Sequence, residues 1–407
     1  MDDQILVVNC GSSSVKMAVF SRSGEPLASA LAERLNQPGA RLRPQGADTV
    51  SLPDNADHRQ ALTESIRWLQ DNGHLGTSPG AIGHRVVHGG EAFHQAALLD
   101  SDVIRAIEEC ASLAPLHNPV NLAGIDATMT LFPDVPQVAV FDTAFHQTLP
   151  RHAWLYPVPR RFYDDWGVRR YGFHGTSHQC MAEEAARRLG QPLEETCIIS
   201  AHLGNGCSIT AIRDGRSVDT SMGLTPLEGL VMGTRSGDVD PGLFDFLADK
   251  GISGEDTHRI LNRESGLLGL SGTTSDMRHL LEEALAGNEQ CQDAFEVFCF
   301  RLARYIGAMM VSLDRLDALV FTGGIGENSP EVRARTVDHL RLAGFRVDPA
   351  SNQDHGSARD GDISASDSRF PVLVIPTREE AMIAREAIKL AGNGASARDP
   401  RTSKGAR

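Results

Sequence analysis

Apolar and polar positions follow the same order in two separate stretches of the chain. Each stretch runs from an apolar strand through a turn of small residues into a second strand. The first covers residues 6–20 around Gly11, and the second covers residues 198–212 around Gly204. Self-similarity of this kind is typical of a duplicated domain. The pattern therefore predicts two copies of one unit, each with a turn suited to phosphate.

The remaining periodicity places helices after these strands. Alternation with a period of two predicts strands, and a period of 3.6 predicts helices. Both halves are therefore predicted to be α/β layers with mixed sheets flanked by helices. The predicted strands are 4–9, 15–20, 81–87, 137–141, 196–201, 208–213, 217–221, 318–322 and 372–375, and the clearest helices are 59–71, 101–112, 120–131 and 177–189.

A connector rich in proline separates the two halves. Three prolines stand between residues 149 and 161, and prolines at this density mark a break between packed elements. We place the boundary near Pro150, which predicts a first domain over residues 1–150 and a second over residues 151–380.

The end of the chain carries one further helical pattern. Small apolar residues share one stripe of residues 378–391, and Gly392 is expected to end this helix. We expect residues 381–392 to complete the first domain. The tail, residues 393–407, has no apolar periodicity, which predicts disorder.

Composition narrows the class of function. The chain has 407 residues, of which 41% are hydrophobic and 23% charged, as expected of a soluble protein with two domains. No apolar run approaches the roughly 18 residues of a membrane span, and the acidic start predicts no signal peptide, so we expect a cytoplasmic protein. A net charge of −14 argues against nucleic acid or an anionic membrane as a partner. The seven cysteines form no CxxC pair, and we expect them to be reduced.

The two repeated turns carry groups that suit an anion. In the first, Gly11 permits a positive φ, the neighbouring serines supply hydroxyls and Lys16 adds a cation. Taken alone, an ordinary tight hairpin explains this turn equally well. The turn at residues 202–206 stands at the matching position of the second copy, which favours phosphate binding at both.

A third glycine-rich segment, residues 321–331, follows an apolar strand. Ser329 and Pro330 are typical of a helix start, so this segment is predicted to bring a helix N-terminus to a nucleotide. The dinucleotide fingerprint GxGxxG is absent, because Ser329 stands where glycine or alanine is needed. That absence argues against a dehydrogenase.

Four polar residues have settings suited to catalysis. Arg85 and Arg235 lie among glycines, one in each half, where a guanidinium has room to bind an anion bidentately. His174 stands on a glycine-bounded turn and is placed to donate a hydrogen bond, although a core histidine fits the same pattern. Asp142 follows a predicted strand, where α/β active sites collect, and a helix N-cap fits it equally well. His178 has metal-like spacing from His174, but no zinc motif accompanies the pair.

Six segments in order resemble the acetate kinase family, in the superfamily of acetate and sugar kinases, actin and actin-like chaperone ATPases. The resemblance covers nearly the whole chain. It implies two duplicated RNase-H-like (actin-like ATPase) domains with an active site in the cleft between them, acyl substrate on the first and nucleotide on the second. The segments are NCGSSS (9–14), GHRVVHGG (83–90), FDTAFH (141–146), YGFHGTSH (171–178), GTRSGD (233–238) and GIGEN (324–328).

The same resemblance implies a reaction and its cofactors. The γ-phosphoryl group of ATP would pass reversibly and in line to acetate, giving acetyl phosphate and ADP. Mg²⁺, with Mn²⁺ as an alternative, would bind Asn9 and Glu379, and the adjacent Glu380 leaves that choice open. The implied catalytic residues are Asp142, His174, Arg235 and Arg85.

Binding residues are also implied by the resemblance. The acyl pocket would be formed by Arg85, Val87, Leu116, Phe173 and Pro226. The ATP site would be formed by Ser12, Ser14, Lys16, His202, Leu203, Gly204, Asn205, Gly206, Asp276, Met277, Arg278, Gly324, Ile325, Gly326, Glu327 and Asn328.

The chain departs from the family pattern at two positions. Met277 stands where an aromatic residue is frequent, which leaves stacking of the base open, and Arg378 replaces a small polar or acidic residue. Val87 suits acetate better than a bulkier acid, and a propionate or butyrate kinase is the nearest alternative. A chaperone ATPase would need a separate peptide-binding domain, for which the two repeats leave no residues. The family also suggests a homodimer.

Overall fold

The structure is a computed structural model that describes residues 4–115 and 117–397. The described chain separates into two compact units. The first unit contains the residues up to Ala144 together with those from Arg378 onward, and the second runs from Phe145 to Thr377. The first unit thus ends a few residues before Pro150, and it includes the last helix of the chain.

The secondary-structure elements are named in chain order. The strands are β1 (Gln4–Gly11), β2 (Ser14–Ser21), β3 (Pro26–Glu33), β4 (Arg41–Pro44), β5 (Val50–Ser51), β6 (Ala81–Val86), β7 (Ala97–Leu98), β8 (Gln137–Phe141), β9 (Cys197–Leu203), β10 (Cys207–Arg213), β11 (Arg216–Thr220), β12 (Ala318–Thr322) and β13 (Val372–Val374). The α-helices are α1 (His58–Asp71), α2 (Ser101–Glu109), α3 (Asn118–Leu131), α4 (Arg151–Trp154), α5 (Arg161–Trp166), α6 (Gly175–Leu189), α7 (Leu243–Asp249), α8 (Gly254–Arg263), α9 (Gly266–Ser271), α10 (Met277–Leu285), α11 (Glu289–Met309), α12 (Gly323–Asn328), α13 (Pro330–Asp338), α14 (Pro349–Gln353) and α15 (Glu379–Ala397).

The first unit is built on a mixed sheet. Among its described residues the sheet has eight strands in the order β5-β4-β3-β2-β1-β6-β8-β7. Strands β1, β2 and β3 pair antiparallel, whereas β1, β6 and β8 are parallel neighbours. Parallel neighbours end at the same edge of a sheet, so the residues at the ends of β1, β6 and β8 lie side by side.

The second unit repeats this arrangement. Its sheet, over the residues described, has five strands in the order β11-β10-β9-β12-β13. The first three pair antiparallel and the last three parallel. Strands β3-β2-β1-β6-β8 of the first unit have the same order and the same directions. The topology therefore confirms the predicted α/β class with mixed sheets, and it shows the duplication that the two turns predicted.

Helices cover both faces of the first sheet, which explains why β1 is apolar at almost every position. Leu6 packs with Leu62 of α1 in one buried cluster, whereas Val7 packs with Ile383 of α15 in another. A Cβ at Gly83 would lie 2.7 Å from Cγ2 of Ile383. Glycine at this position of β6 therefore permits the close approach of α15.

Two local predictions are wrong, and one conformation that the sequence permits is not adopted. Helix α15 continues past Gly392 to Ala397, since one glycine inside a helix costs only about 1 kcal/mol relative to alanine. Residues 398–407 of the predicted tail lie outside the described residues. Gly11 does not adopt a positive φ, because β1 and β2 pair in register up to the turn. The glycine-rich residues after β12 form the short helix α12 rather than a loop, while Ser329 caps α13 as predicted, accepting from Val332 N at 3.4 Å.

The state of the cysteines and the length of the helices bear on the predictions made from composition. None of the seven cysteines, all of which are among the described residues, forms a disulfide, and burial raises the pKa of the Cys10 and Cys207 thiols to about 12. These two thiols of the repeated turns therefore remain protonated and pack as small apolar groups. In the parts of the chain that the structure describes, no helix has the length and hydropathy of a membrane span.

Candidate active site

The first unit joins Arg85 to Asp142 at the ends of neighbouring parallel strands. Arg85 lies near the end of β6 and Asp142 directly follows β8, where its backbone N–H donates to Val86 O at 2.9 Å. Arg85 donates from Nε to Oδ1 of Asp142 at 3.0 Å and from Nη2 to Oδ2 at 2.6 Å. Only 2% of the Asp142 side chain is exposed, against 22% for Arg85. The carboxylate therefore fixes the guanidinium plane from the buried side.

Other polar residues surround this pair. Arg85 Nη1 donates to Oδ1 of Asn9 at 3.3 Å. Loss of water raises the pKa of the nearby Glu379 carboxyl, although the positive charge of Arg85 opposes this rise. Burial also opposes the charge of Arg85, but the carboxylates of Asp142 and Glu379 outweigh it and raise its pKa. Arg85 therefore stays cationic among oxygen donors.

The two adjacent glutamates of α15 have different surroundings. Glu380 forms an ion pair with Lys16, with Oε1 and Nζ 2.5 Å apart, and 47% of the Lys16 side chain is exposed. Glu379 instead acts electrostatically on Arg85, and its pKa is raised by desolvation. Arg85 and Lys16 only partly offset the desolvation that raises the pKa of Glu379, so a bound cation would stabilise this carboxylate further, whereas Glu380 is in direct contact with Lys16.

A magnesium ion fits the oxygen donors of this unit. Mg²⁺ is usually held by one or two carboxylates together with substrate phosphates and water. No cluster of three His, Cys, Asp or Glu among the described residues could hold an ion by itself. Asn9 and Glu379 supply an amide oxygen and a desolvated carboxylate near Arg85. This donor set suits Mg²⁺ that arrives with a phosphate rather than a resident structural ion.

Val87 follows Arg85 and is fixed by its backbone. It is buried, and its N–H donates to Oδ1 of Asn121 at 3.0 Å, while Nδ2 of Asn121 donates to Cys10 O at 2.9 Å. Asn121 thus ties the end of β1 to the segment after β6, a role that sequence reasoning missed because the two contacts are distant along the chain. Leu116 lies outside the described residues.

Residues from elsewhere in the first unit contact two backbone carbonyls of the first repeated turn. Nε2 of His58 contacts Gly11 O at 2.7 Å, and Leu35 N donates to Ser13 O at 3.0 Å. Ser12 and Lys16 are exposed, and Ser14 is partly buried. The turn therefore directs hydroxyls and a cation outward on a fixed backbone.

The second unit brings His174 and Arg235 to the other repeated turn, between β9 and β10. A Cβ at Gly206 would lie 2.7 Å from Nη2 of Arg235 and 3.5 Å from Nε2 of His174, so a larger residue there would displace the guanidinium. Nη1 of Arg235 donates to Pro226 O at 2.6 Å. His174 has a φ of 55° at the N-cap of α6, a left-handed conformation that is uncommon outside glycine. A guanidinium and an imidazole thus converge on one glycine.

His174 belongs to a network of imidazoles and hydroxyls. Its Nδ1 lies 2.9 Å from Oγ of Ser208, and its ring stacks on His202 with centroids 4.3 Å apart. Ser208 also contacts Nε2 of the buried His178 at 2.7 Å. Burial, with smaller contributions from neighbouring histidines, holds the pKa of His178 well below its usual range. His178 is therefore neutral, and both of its ring nitrogens contact serine hydroxyls. Phe173, before His174, is buried.

Hydrogen bonds within the second unit stabilise the backbone of the glycine-rich segment after β12. Gly323 has a φ of 77°, and a Cβ there would lie 2.7 Å from Leu203 O. Oε1 of Glu327 accepts from Gly323 N at 2.9 Å and from Thr377 N at 2.9 Å. Asn328 Nδ2 donates to Gly324 O at 2.9 Å. The side chains of Glu327 and Asn328, predicted as ATP ligands, thus stabilise the α12 backbone.

A fully buried arginine supports the same helix. Arg333 has 0% exposure, and its Nη1 donates to Gly326 O at 2.8 Å and to Glu327 O at 2.9 Å. Nε and Nη2 donate to Oδ1 and O of Asn352 at 2.8 and 2.7 Å. Burial lowers the pKa of Arg333 to about 10, so it remains charged at neutral pH. Sequence reasoning missed Arg333, which lies in a helix of ordinary polar pattern.

The segment Asp276 to Arg278 begins α10. Oδ1 of Asp276 accepts from Arg278 N at 2.8 Å, which makes Asp276 the N-cap. Met277 is buried and the Arg278 side chain is exposed. Of the three predicted ATP ligands here, Asp276 and Arg278 are exposed, and Asp276 is engaged as the N-cap.

Comparison with known proteins places the chain among carboxylate kinases. The sequence profile of the acetokinase family matches residues 4–385. The acetate kinase of Natranaerobius thermophilus is 50% identical over 398 residues, covering 96% of this chain and 100% of that protein, and the acetate kinase of Chromobacterium violaceum is 52% identical over 396 residues, covering 96% and 99%.

Solved structures agree with this assignment. A propionate kinase from Francisella tularensis subsp. tularensis SCHU S4 superposes with a TM-score of 0.90 at 42% identity, covering 96% of this chain and 100% of that one. Porphyromonas gingivalis acetate kinase gives a TM-score of 0.87 at 40% identity, with 95% and 99% covered. The chain therefore belongs to the acetokinase family.

Proposed function

We propose that this chain transfers the γ-phosphoryl group of ATP reversibly to acetate, giving acetyl phosphate and ADP. The observation that carries the proposal is the convergence of Arg235 and His174 on Gly206. Phosphoryl transfer requires positioning and electrostatic stabilisation of oxygens that gain charge, and a guanidinium and an imidazole beside a glycine turn supply both. Membership of the acetokinase family and relatives called acetate kinases support ATP and acetate as the substrates.

The nucleophile needs no general base. A carboxylate is already ionised at neutral pH. An acetate oxygen forms a bond to the γ-phosphorus, the bond from that phosphorus to the bridging oxygen breaks, and ADP leaves with the electron pair. No proton has to move. The principal barrier is repulsion between two anions, which cationic groups must offset.

Arg85 is proposed to bind the acetate carboxylate. Its Nε and Nη2 each donate a hydrogen bond to Asp142, and its Nη1 donates one to Asn9. A guanidinium has five N–H donors, so donors remain on Nη1 and Nη2 for the substrate. The contacts of Asp142 support a positioning role through Arg85, rather than contact with the reacting atoms. We therefore propose Asp142 as a positioning residue.

Arg235 and His174 are proposed to stabilise the phosphoryl group in transfer. Nη1 of Arg235 is anchored on Pro226 O, which leaves Nη2 directed towards the glycine turn. His174 presents Nε2 to the same glycine. Donors held in place before the reaction need no reorganisation as charge develops, which is the largest single contribution in many enzymes.

Asn9 and Glu379 would hold Mg²⁺, or Mn²⁺ in its place. When bound, the ion supplies neutralisation of charge on the β- and γ-phosphates. The ion pair between Glu380 and Lys16 supports Glu379 as the ligand, since Glu380 is already neutralised. The desolvated carboxylate of Glu379 gains most from a cation.

The nucleotide is proposed to contact both glycine-rich segments of the second unit. Residues 204–206 and the backbone of α12 supply N–H groups, and Arg278 supplies an exposed cation. Arg333 and Glu327 hold α12 from the buried side. The buried Met277 adds apolar support rather than an open surface for the base.

The acyl group is proposed to be acetyl. Val87 is buried and stands two residues after Arg85, and its β-branched side chain is proposed to restrict the space for a longer chain. Propionate is the second candidate, since one solved relative of 42% identity is a propionate kinase. The ratios of kcat/KM for acetate, propionate and butyrate decide between these substrates.

A hydroxamate assay tests the reaction. Purified protein with ATP, Mg²⁺ and acetate should form acetyl phosphate, which hydroxylamine traps, and omission of any one component should abolish the product. Arg235→Ala should lower kcat by about 10²-fold or more, as for loss of an oxyanion donor. Arg213→Ala is the matched control, because Arg213 pairs with Asp314 at the surface of the same unit. Unchanged turnover in Arg235→Ala would refute its role, and no acetyl phosphate from folded wild-type protein would refute the reaction.

We also propose that the protein acts in the cytoplasm as a homodimer. Exposed apolar side chains on the second unit support association, with 41% of Phe244 and 59% of Phe246 exposed on α7. Sedimentation velocity should give twice the chain mass of 43.9 kDa. A single species of the chain mass at micromolar concentration would contradict the dimer.

A further inference from the structure

We propose that Ser208 and His178 are positioning residues that hold His174 in its neutral form with the proton on Nε2. This inference rests on the proposed function, in which Nε2 of His174 donates a hydrogen bond to the transferred phosphoryl group. Four side chains form one continuous path, from Ser200 through His178 and Ser208 to His174. We call this path the serine–histidine chain.

The contacts of the serine–histidine chain are short and buried. Oγ of Ser200 lies 3.0 Å from Nδ1 of His178, and Nε2 of His178 lies 2.7 Å from Oγ of Ser208. Oγ of Ser208 lies 2.9 Å from Nδ1 of His174. Ser200, His178 and Ser208 each have 0% exposure. Water therefore cannot take the place of a missing partner.

The fold brings these four residues together for simple geometric reasons. His174 and His178 lie one turn apart at the start of α6, where His178 N donates to His174 O at 3.0 Å. Ser200 and Ser208 lie on the paired strands β9 and β10. Nδ1 of His174 faces Ser208, whereas Nε2 faces Gly206 and Arg235. The two ring nitrogens of His174 therefore face different partners.

Counting protons leaves two possible directions for the chain, and only one of them gives a neutral His174 with a proton on Nε2. A serine hydroxyl donates one proton, and a neutral imidazole has one N–H and one acceptor. If Ser208 donates to Nδ1 of His174, then Ser208 must accept from Nε2–H of His178. Nδ1 of His178 is then an acceptor, and it receives the Ser200 hydroxyl. Each hydrogen bond is satisfied, and Nε2 of His174 must carry its proton.

In the reverse direction, a neutral His174 would carry its proton on Nδ1, and its Nε2 could not donate to the phosphoryl group as the proposed function requires. A His174 that donates from both nitrogens would have to be charged. An imidazolium would donate from Nδ1 to Ser208, Ser208 would donate to Nε2 of His178, and Nδ1–H of His178 would donate to Ser200. The guanidinium of Arg235 opposes this state, because Nη2 of Arg235 and Nε2 of His174 approach the same point beside Gly206. The chain therefore makes His174 a neutral donor that cannot act as a base at Nε2.

Nitrogen NMR distinguishes the two directions in the full-length wild-type protein. The side chains of the fifteen histidines are labelled with ¹⁵N, and the His174 and His178 signals are assigned by their loss in His174→Asn and His178→Asn. Near neutral pH we expect Nε2–H on both rings and an unprotonated Nδ1 on both. A proton on Nδ1 of His178, or on Nδ1 of His174, would overturn the proposal. This measurement does not depend on turnover, so it remains decisive if the proposed reaction fails the hydroxamate assay.

Kinetics provide the second test. Ser208→Ala should lower kcat about 10- to 100-fold, the range for outer partners that orient a histidine ligand, while KM for ATP and for acetate changes less than about threefold. Ser217→Ala is the matched control, because Ser217 is equally buried and its Oγ contacts Nδ1 of His146 at 2.8 Å, outside the chain. Its kcat should change less than about twofold.

Ser208→Thr keeps the hydroxyl and should restore most of the activity that Ser208→Ala loses. A purely structural role would lower thermal stability in both Ser208 variants without a selective loss of kcat. Wild-type kcat in folded Ser208→Ala would overturn the proposal. If Ser208→Ala does not fold by circular dichroism, the tautomers measured in the wild-type protein decide.

Discussion

Asp142→Asn should destabilise the first unit and impair the use of acetate while leaving the use of ATP nearly unchanged. The substitution keeps the shape of the side chain and removes its charge. Oδ2 accepts from Nη2 of Arg85 at 2.6 Å, and an amide group placed there would oppose one donor to another. Asn can satisfy at most one side of the guanidinium, so the orientation of Arg85 is lost together with the charge.

The burial of the pair sets the magnitude. Removing one partner of a fully buried ion pair costs roughly 3–5 kcal/mol. Asp142 is 2% exposed, but 22% of the Arg85 side chain remains exposed, so water can partly solvate the unpaired cation. Glu379 also offsets part of its charge. We therefore expect the free energy of unfolding of the first unit to fall by about 2–3 kcal/mol.

Fluorescence can follow the first unit alone. Trp68 lies in α1 of this unit, and the other two tryptophans of the chain, Trp154 and Trp166, lie in the second unit. Urea denaturation is followed by Trp68 emission in a background with both other tryptophans replaced by Phe. Initial rates of the hydroxamate assay give kcat/KM for acetate, which should fall about 10²-fold because the carboxylate is no longer oriented.

Asp126→Asn is the matched control. Asp126 also pairs with an arginine, Arg59, but its side chain is 65% exposed. Exposed ion pairs contribute roughly 0–1 kcal/mol, so this variant should keep both stability and activity. Equal effects of Asp126→Asn and Asp142→Asn, or a wild-type KM for acetate in Asp142→Asn, would refute the argument from burial.

Three further predictions concern the metal, the acyl pocket and the nucleotide. Desolvation raises the pKa of Glu379 above 4.5, so the folded protein binds this proton more tightly than the unfolded chain does. The free energy of unfolding should therefore fall as the pH rises from 4.5 through the raised pKa. Glu379→Gln should lack this fall in Mg²⁺-free urea titrations and lose Mg²⁺-dependent turnover, whereas Glu380→Gln should keep both. Val87→Ala should raise the ratio of kcat/KM for propionate to that for acetate about tenfold, the effect of one methylene, and an unchanged ratio would exclude Val87 from the pocket. Arg333→Met should raise KM for ATP about tenfold, or roughly 1.4 kcal/mol, with KM for acetate constant, and equal changes in both would indicate general damage.

The location of the candidate residues was predictable, but most of their partners were not. Arg85 and Asp142 stood at the ends of predicted strands, and parallel neighbours bring such ends together. The sequence does not state which strands are neighbours, so the pairing of β6 with β8 and the contact between these residues could not be derived. The structure adds a contact between Asp142 and Arg85 that neither interpretation of Asp142, catalytic carboxylate or helix cap, predicts.

Residues that act through other residues gave no signal in the sequence. Ser208 is one of the small polar residues in β10, and the sequence pattern predicts that Arg333 lies on the polar face of a surface helix. Their importance depends on contacts over long separations, such as Arg333 with Asn352 and Ser208 with His174. Periodicity in the sequence indicates which face of a helix or strand is apolar. It does not indicate which residues of other elements pack against that face.

The duplication explains how one topology supports two kinds of binding. Strands β6 and β12 hold the same place in their sheets, each as the parallel neighbour of the first strand of its repeat. Near the end of β6 the first unit has Arg85, a cation held by a buried carboxylate, which suits a small anion bound by side chains. After β12 the second unit has Gly323, which begins a helix held from within by Glu327 and Arg333 and presents backbone to a larger anion. The charge proposed to bind acetate thus lies in a partly buried side chain, whereas the charge behind the nucleotide segment lies in a fully buried one. Under the proposed function, divergence at a single strand end gives the two halves different ligands without any change in strand order.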